Sequence, residues 1–301
     1  MKRSGLNALG IAFGIISILI VIVSAVILFG VQPFNLGKRI AGGFDIKGFV
    51  GSGDRVEDSG EERVEGPISE IEISNIAGDI TITGWNEDYA LLKYKKFAPN
   101  QEVMDNIQIE IDKNGGELTI DRESDGSISS WRGRVTFDLR IPKATLKELS
   151  AKSVSGKVIC SNMTPDIDLE LQSTSGRIET DNARDLYAKS ISGGIDFVFN
   201  GKDLEIKTTS GRIEGEIRSI DRDGKIELRS VSGSVRIAVP DDFSAELDLR
   251  SVSGSVSTDF PVEVRSSKRN SLEGIIGDGD VDLEIDTTSG SIKIRKLSSD
   301  E

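Results

Sequence analysis

The chain has 301 residues, a net charge of −13 from 37 Lys and Arg against 50 Asp and Glu, no histidine and one cysteine, Cys160. Those counts exclude a Ser-His-Asp or Cys-His catalytic set, a histidine-held metal, an intrachain disulfide and a four-cysteine zinc or iron–sulfur site. The acidic balance argues against a nucleic-acid partner, which needs a basic stripe, and 5% aromatics beside 32 glycines point to thin layers rather than one thick globule.

Residues 1–10 read as a short cytoplasmic tail. Ile11 to Val31 is a run of 21 residues without a charge. At 1.5 Å per residue this makes about 31 Å of helix, the thickness of a hydrocarbon core. The run is longer than the apolar region of a secretory signal, and no small-x-small cleavage site follows it. The sequence therefore predicts one retained transmembrane helix over 11–31. Lys2 and Arg3 precede it, while Lys38, Arg39 and Lys47 follow. That count is a near tie, but the short basic tail is hard to export, which leaves it inside and the remaining chain outside. Gly10 and Gly14 have GxxxG spacing, a weak signal in a span so rich in small residues. Residues 32–66 are rich in glycine and include the acidic run RVEDSGEERVEG. They read as a flexible linker, because such composition cannot bury enough to fold alone.

From residue 67 to 301 an internal repeat dominates. The copies are IEISNIAGDITI from Ile71, LSAKSVSGKVIC from Leu149, LELQSTSGRIET from Leu169, LYAKSISGGIDF from Leu186, LEIKTTSGRIEG from Leu204, IELRSVSGSVRI from Ile226, LDLRSVSGSVST from Leu247 and LEIDTTSGSIKI from Leu283. From Gly156 onward the repeat glycines recur every 17–22 residues, until a final interval of 36 between Gly254 and Gly290. That interval reads as two coils with one degenerate copy between them. Between the first copy and Leu149 the pattern is irregular. Strands are predicted at Ala90–Phe97, Gln108–Asp112, Glu117–Asp121 and Val135–Ile141, with a short helix within Pro99–Ile107 and a hairpin turn at Asn114-Gly115-Gly116.

Alternation with period 2 marks a strand with one buried face. In every copy the apolar parity switches across Ser-Gly, as between Leu171 and Ile178. A straight strand cannot keep both on one face, so the chain must turn a corner there, and glycine suits that corner through positive φ and close backbone approach. Each unit of about 20 residues becomes strand, corner, strand, and stacks on its neighbours as one coil of a β-solenoid or parallel β-helix. Ser153, Ser173, Ser190, Thr208, Ser230, Ser251 and Thr287 then form a hydroxyl ladder, and the glycines another. Residues 67–148 are the irregular part and 149–301 the regular repeats. A β-sandwich of hairpins is the alternative.

The IAGDITI unit, the irregular stretch ending in LRIPK and the serial S-x-S-G-x-I/V copies resemble the bacterial and archaeal "putative adhesin" family, a domain of unknown function with β-strand repeats. The resemblance covers Ile71 to Leu297. It implies a parallel β-helix and carries no catalytic residues. Members fused to one N-terminal span resemble envelope-stress accessory proteins of Gram-positive bacteria.

Among residues that could carry chemistry, Asp221, Asp223, Asp241, Asp242, Asp278, Asp280 and Asp282 are turn carboxylates that read as solvated charge discouraging edge pairing. Asp278-Gly-Asp280-Val-Asp282 could offer oxygens to a hard cation but lacks a calcium-loop pattern. Thr208-Thr209 and Thr287-Thr288 do not form one threonine face, because adjacent residues point oppositely. Cys160 reads as a buried inert thiol, and Trp85 and Trp131 as packing residues. No glycine-rich phosphate loop precedes a helix. No catalytic, cofactor-binding or metal-binding residue is assigned, and no cofactor is expected. The reading is a non-enzymatic, single-pass, membrane-anchored protein with an extracytoplasmic β-repeat domain. Its role is adhesin-like interaction or envelope sensing, with an unidentified envelope protein or polysaccharide as partner. A carbohydrate-active β-helix enzyme and a passive spacer are the alternatives.

Overall fold

Strand, corner and strand form as the alternation dictates, and every copy uses its two arms in two parallel ladders. The computed structural model describes residues 55–123 and 132–297; the tail, the apolar span 11–31, most of the linker and Trp131 lie outside the described residues. Among the described residues no helix is long and apolar enough to cross a membrane. The first arms β2 (Glu70–Ala77), β8 (Glu148–Ser155), β10 (Asp168–Ser173) and β12 (Asp185–Ser190), then the later parts of β13 (Ile195–Thr208) and β14 (Ile213–Ser230), pair in parallel. The second arms β3 (Ile80–Trp85), β9 (Val158–Ser161), β11 (Ile178–Asp181), the early parts of β13 and β14, and β15 (Val235–Val239) do the same. Among the described residues the result is an all-β, solenoid-like stack of 21 strands. Repeat against repeat the ladders are parallel, which rules out the sandwich of hairpins.

The core is two columns deep from each sheet. Leu149, Leu169, Leu186, Leu204 and Ile226 stack in one sheet, and Val158, Ile178, Ile195, Ile213 and Val235 in the other, all buried. Cys160 continues the second sheet's inward side; burial, and then Asp181, push its thiol pKa up, so the thiol is inert.

The parity switch is made at the corner. The hydroxyls of Ser173, Ser190, Thr208 and Ser230 donate to the carbonyls of Gly156, Gly176, Gly193 and Gly211, one layer back, at 3.2–3.4 Å. A Cβ on Gly176, Gly193, Gly211 or Gly233 would lie 1.7–2.0 Å from the same carbonyl oxygens. Close approach is therefore what requires glycine. Positive φ, the other reason expected from sequence, occurs among the corner glycines only at Gly78 and Gly156. Asn75 and Arg122 take over where the ladder leaves the Ser/Thr pattern. Asn75 donates to the Gly78 and Val135 carbonyls at 3.0 and 2.8 Å, and Arg122 to Ala77 and Gly133 at 3.2 and 2.9 Å. Burial pulls the Arg122 pKa down to about 10. With Gly78 oxygen held by Asn75, the buried Ser153 hydroxyl has no hydrogen-bond partner among the described residues.

Three expectations are corrected. First, layers do not follow chain order at either end. The arms β6 (Glu117–Glu123) and β7 (Arg134–Pro142) lie outside β2 and β3, which contact β8 and β9 on their other side. At the far end β20 (Val281–Thr287) and β21 (Ile292–Lys296) slot between β14–β15 and the earlier pair β16 (Ala245–Ser251) and β17 (Val256–Thr258). Second, the interval before Gly290 holds no degenerate coil. It holds β18 (Glu263–Lys268) and β19 (Ser271–Ile276), an antiparallel hairpin laid against β16. Third, residues 56–64, placed by composition in the flexible linker, form β1 (Val56–Val64), which pairs antiparallel over nine residues with β4 (Ala90–Ala98). Tyr94 covers Gly60, where a Cβ would sit 2.3 Å from the ring; a distant partner supplies the strand pairing that holds this largely exposed segment.

The irregular segment matches its expected elements. β4, β5 (Gln108–Asn114), β6 and β7 are strands, and α1 (Gln101–Asp105) is a helix whose first turn is capped by the Asn100 side chain accepting from Val103 N–H at 2.9 Å. The β5–β6 hairpin turns at Gly115 with φ +62°.

Candidate functional site

The outward residues of the first arms fall into columns, because parallel register places equivalent positions side by side about 4.8 Å apart. The residue just before each apolar-x-apolar pair makes the column Glu117, Glu70, Glu148, Asp168, Asp185, Asp203: six successive carboxylates. The next outward column is Ser150, Glu170, Tyr187, Glu205, Glu227, Glu284, Asp248 over the following layers, and the third is Lys152, Gln172, Lys189, Lys207, Arg229, Asp286, Arg250.

The second and third columns neutralise each other. Lys152 meets Glu72 at 3.3 Å, Arg229 meets Glu284 at 2.9 Å, and Arg250 meets Asp248 at 2.7 Å. Glu227 is the hub, with Lys207 at 3.3 Å, Lys225 at 3.2 Å and Arg229 at 3.2 Å. Burial alone would raise its pKa, but hydrogen bonds from Lys225 and Lys207 outweigh that and hold it below the ordinary value. A carboxyl with a lowered folded pKa contributes stability above its unfolded pKa, and that contribution fades as pH falls through the folded value. Glu227→Gln is therefore expected to cost about 1 kcal/mol at neutral pH, with the gap to the parent closing at acid pH. Denaturant melts across pH check this; a gap that stays constant below pH ~3 refutes it.

The first column is less compensated. Arg184 bonds Asp168 and lies 3.4 Å from Asp185, and its own pKa is raised chiefly by Asp168. An open groove of about 350 Å³ runs along this column, lined by Glu148, Asp168, Asp185 and Asp203 with Tyr187 and Glu205 on its flank. Burial, then Glu205, raise the Tyr187 pKa. Two of the carboxylates also bind backbone: Asp185 Oδ1 accepts the Asp203 N–H at 3.3 Å, and Asp203 Oδ1 accepts the Lys225 N–H at 3.1 Å.

The carboxylates weighed from sequence lie elsewhere. Asp221, Asp223, Asp241, Asp242, Asp278 and Asp282 are exposed and Asp280 is half-buried. Asp223 N–H reaches the Asp280 carbonyl at 3.0 Å, the N–H groups of Asp278 and Asp280 converge on Ser244 Oγ at 2.9 and 3.2 Å, and Asp241 pairs with Lys296 at 3.0 Å. Among the described residues no three carboxylates are arranged to hold a metal. Thr208 and Thr287 are buried, while Thr209 and Thr288 turn outward. Trp85 is a packing residue: its ring meets Tyr89 edge-on at 4.7 Å and its N–H donates to the Tyr89 carbonyl at 2.8 Å. The groove carboxylates had a visible signal, an acidic residue before the Leu of successive copies, but their adjacency shows only once the copies are laid in register.

A family model described as Toastrack DUF4097 matches residues 68–216 and again 167–295. Similar solved structures include a "putative adhesin" from Bacteroides fragilis NCTC 9343, at 16% identity and TM-score 0.41, covering 79% of this chain and 97% of that one. Another is a "putative cell adhesion protein" from Clostridium sporogenes ATCC 15579, at 14% identity and TM-score 0.38, covering 80% and 100%. A third is a "putative lipid binding protein" from Parabacteroides distasonis ATCC 8503, at 14% identity and TM-score 0.37, covering 80% and 97%. No curated protein matches the chain.

Proposed function

The chain belongs to the Toastrack DUF4097 family, and on that premise we propose that it is a non-enzymatic interaction module of the cell envelope, with an adhesin-like role. In this reading a parallel β-helix is held outside the cytoplasmic membrane by the apolar span 11–31 and presents its acidic groove to an envelope protein or polysaccharide. The observation that carries the reading is the unbroken column of six carboxylates. A rigid row of like charges focuses potential and favours a partner with cationic groups.

Two experiments test it. Cys160 is buried, so a cysteine introduced by Ser267→Cys on exposed β18 is the one thiol open to an impermeant maleimide; labelling of intact cells is expected, and labelling only after lysis overturns the topology. For the groove, the full chain carrying Asp168→Asn, Asp185→Asn and Asp203→Asn is compared with the parent for retention on purified envelopes. Retention at least about tenfold weaker is expected, and equal retention overturns the role of the column.

The enzyme reading draws on one specific observation, carboxylates in adjacent layers beside Tyr187 and Arg184, since glycosidases use pairs ~5–10 Å apart. Against it, Asp185 and Asp203 are engaged as backbone acceptors and Asp168 is held by Arg184. Polysaccharide turnover abolished by Asp185→Asn would make the protein an enzyme.

A further inference from the structure

The first-arm sheet ends in two open strands of opposite net charge. At one end β5 pairs only with β6, and at the other β18 pairs only with β19, among the described residues. β5 has seven residues and carries the exposed Glu110, Asp112 and Lys113, backed by Asp121 and Glu123 on β6, so this end is net acidic. The four carboxylates repel: a hydrogen bond shared with Glu123, then the charges of Glu123, Asp112 and Asp121, raise the Glu110 pKa. β18 has six residues, all exposed, with Glu263, Arg265 and Lys268, and Arg269 follows in its turn, so this end is net basic. Arg265 is bound to Glu246, but Lys268 and Arg269 make no ion pair among the described residues. Val264 is 54% exposed on the same strand.

We propose that these two edges are complementary docking surfaces for a second copy of this chain, β18 of one molecule adding to β5 of the next. Direction and length agree. β18 runs with the stack, being antiparallel to β19, which is antiparallel to β16; β5 runs against it, being antiparallel to β6. With the stack axes aligned the new pair is antiparallel. The other sheet accommodates this. Between one molecule's last coil and the next molecule's first, the first-arm sheet would hold β19, β18 and β5, and the second-arm sheet β1 and β4. The two sheets then differ by one strand width, about 4.8 Å.

Net charge favours the arrangement: β18 with Arg269 is net cationic and β5 with its backing strand net anionic, so unlike ends attract. The bulge between Val264 and Ser266 lies in the β18–β19 register. A head-to-tail contact of this kind is heterologous and extends without closing. This goes beyond the proposed function, because it places a self-association surface at the ends of the stack and leaves the groove free.

The test is sedimentation of the full chain in detergent micelles, at low and high salt. The parent is expected to show mass rising with concentration at low salt, weakened at least about tenfold at high salt because the contact is ionic. Glu110→Lys with Asp112→Lys, and separately Lys268→Glu with Arg269→Glu, should each be monomeric while keeping the parent's circular dichroism and melting point. Mixed in equal amounts, the two variants should associate again, since one now offers a basic β5 edge and the other an acidic β18 edge. A parent that stays monomeric at low salt overturns the proposal. So does association that survives both reversals, as pairing of the apolar spans would, and so does a mixture that remains monomeric.

Discussion

Gly211→Val is expected to destabilise the protein by several kcal/mol, or to prevent folding. A Cβ on Gly211 would lie 2.0 Å from the Gly193 carbonyl oxygen, 2.7 Å from its carbon and 2.9 Å from Thr208 Oγ1. Both carbonyl atoms are backbone of the neighbouring layer, so no side-chain rotation relieves the contact; the layers must part. Overpacking of a tight site costs ~1–3 kcal/mol. The same parting breaks the Thr208 hydroxyl bond to Gly193 oxygen at 3.3 Å, and a buried unpaired polar group adds ~1–3 kcal/mol. Neighbouring positions supply the scale. Arg212 is exposed, pairing with Glu214 at 2.8 Å and Asp196 at 3.7 Å, so Arg212→Ser should cost less than ~1 kcal/mol. Ile213 is fully buried, and Ile213→Ala should cost ~2–5 kcal/mol. Denaturant melts of the three variants give the order; a Gly211→Val protein that melts with the parent means the corner is not a close-packed ladder.

Ending the chain at Gly279 is expected to release β16–β19 together with the strands actually removed. β16 pairs with β20 and β19, and β17 with β21. Without β20 and β21, the coil of β16 and β17 and its covering hairpin have no parallel partner on the stack. The core side chains Leu247 and Leu249 lose their neighbours Leu283 and Ile285. Amide hydrogen exchange over residues 245–276 should approach that of an unfolded segment, while β8 to β13 keep their protection, because opening follows contiguous packed units. If layers followed chain order, the truncation would remove only the outermost coil and residues 245–276 would stay protected. That outcome would refute the transposed threading.

The candidate groove stood halfway between what could be read in advance and what could not. Glu148, Asp168, Asp185 and Asp203 each precede a Leu in the aligned copies, so their outward parity followed from alternation alone. That they form one uninterrupted row depended on which copies are neighbours. The row stops at Lys225, which lies between Asp203 and Asp282, while Glu246 lies beyond Asp282 rather than next to Lys225.

The strands, the parity switch at Ser-Gly and the hydroxyl ladder were determined by the sequence, because each depends on residues within a dozen positions and on a period of two that only a strand accommodates. The order of the layers was decided by tertiary structure. The Ser/Thr copies carry the same corner, with a carbonyl to receive a hydroxyl and a glycine to admit one, so the corner does not say which copy lies on which. The signature that makes the repeat easy to see thereby holds no information about sequence of assembly. Gly290 rests on Gly233 oxygen and Gly254 on Gly290 oxygen because the β18–β19 hairpin carries the chain back before its last copy is laid down. The same holds for β1: its glycine and carboxylates resemble a linker until β4, some thirty residues away, pairs with it along its whole length.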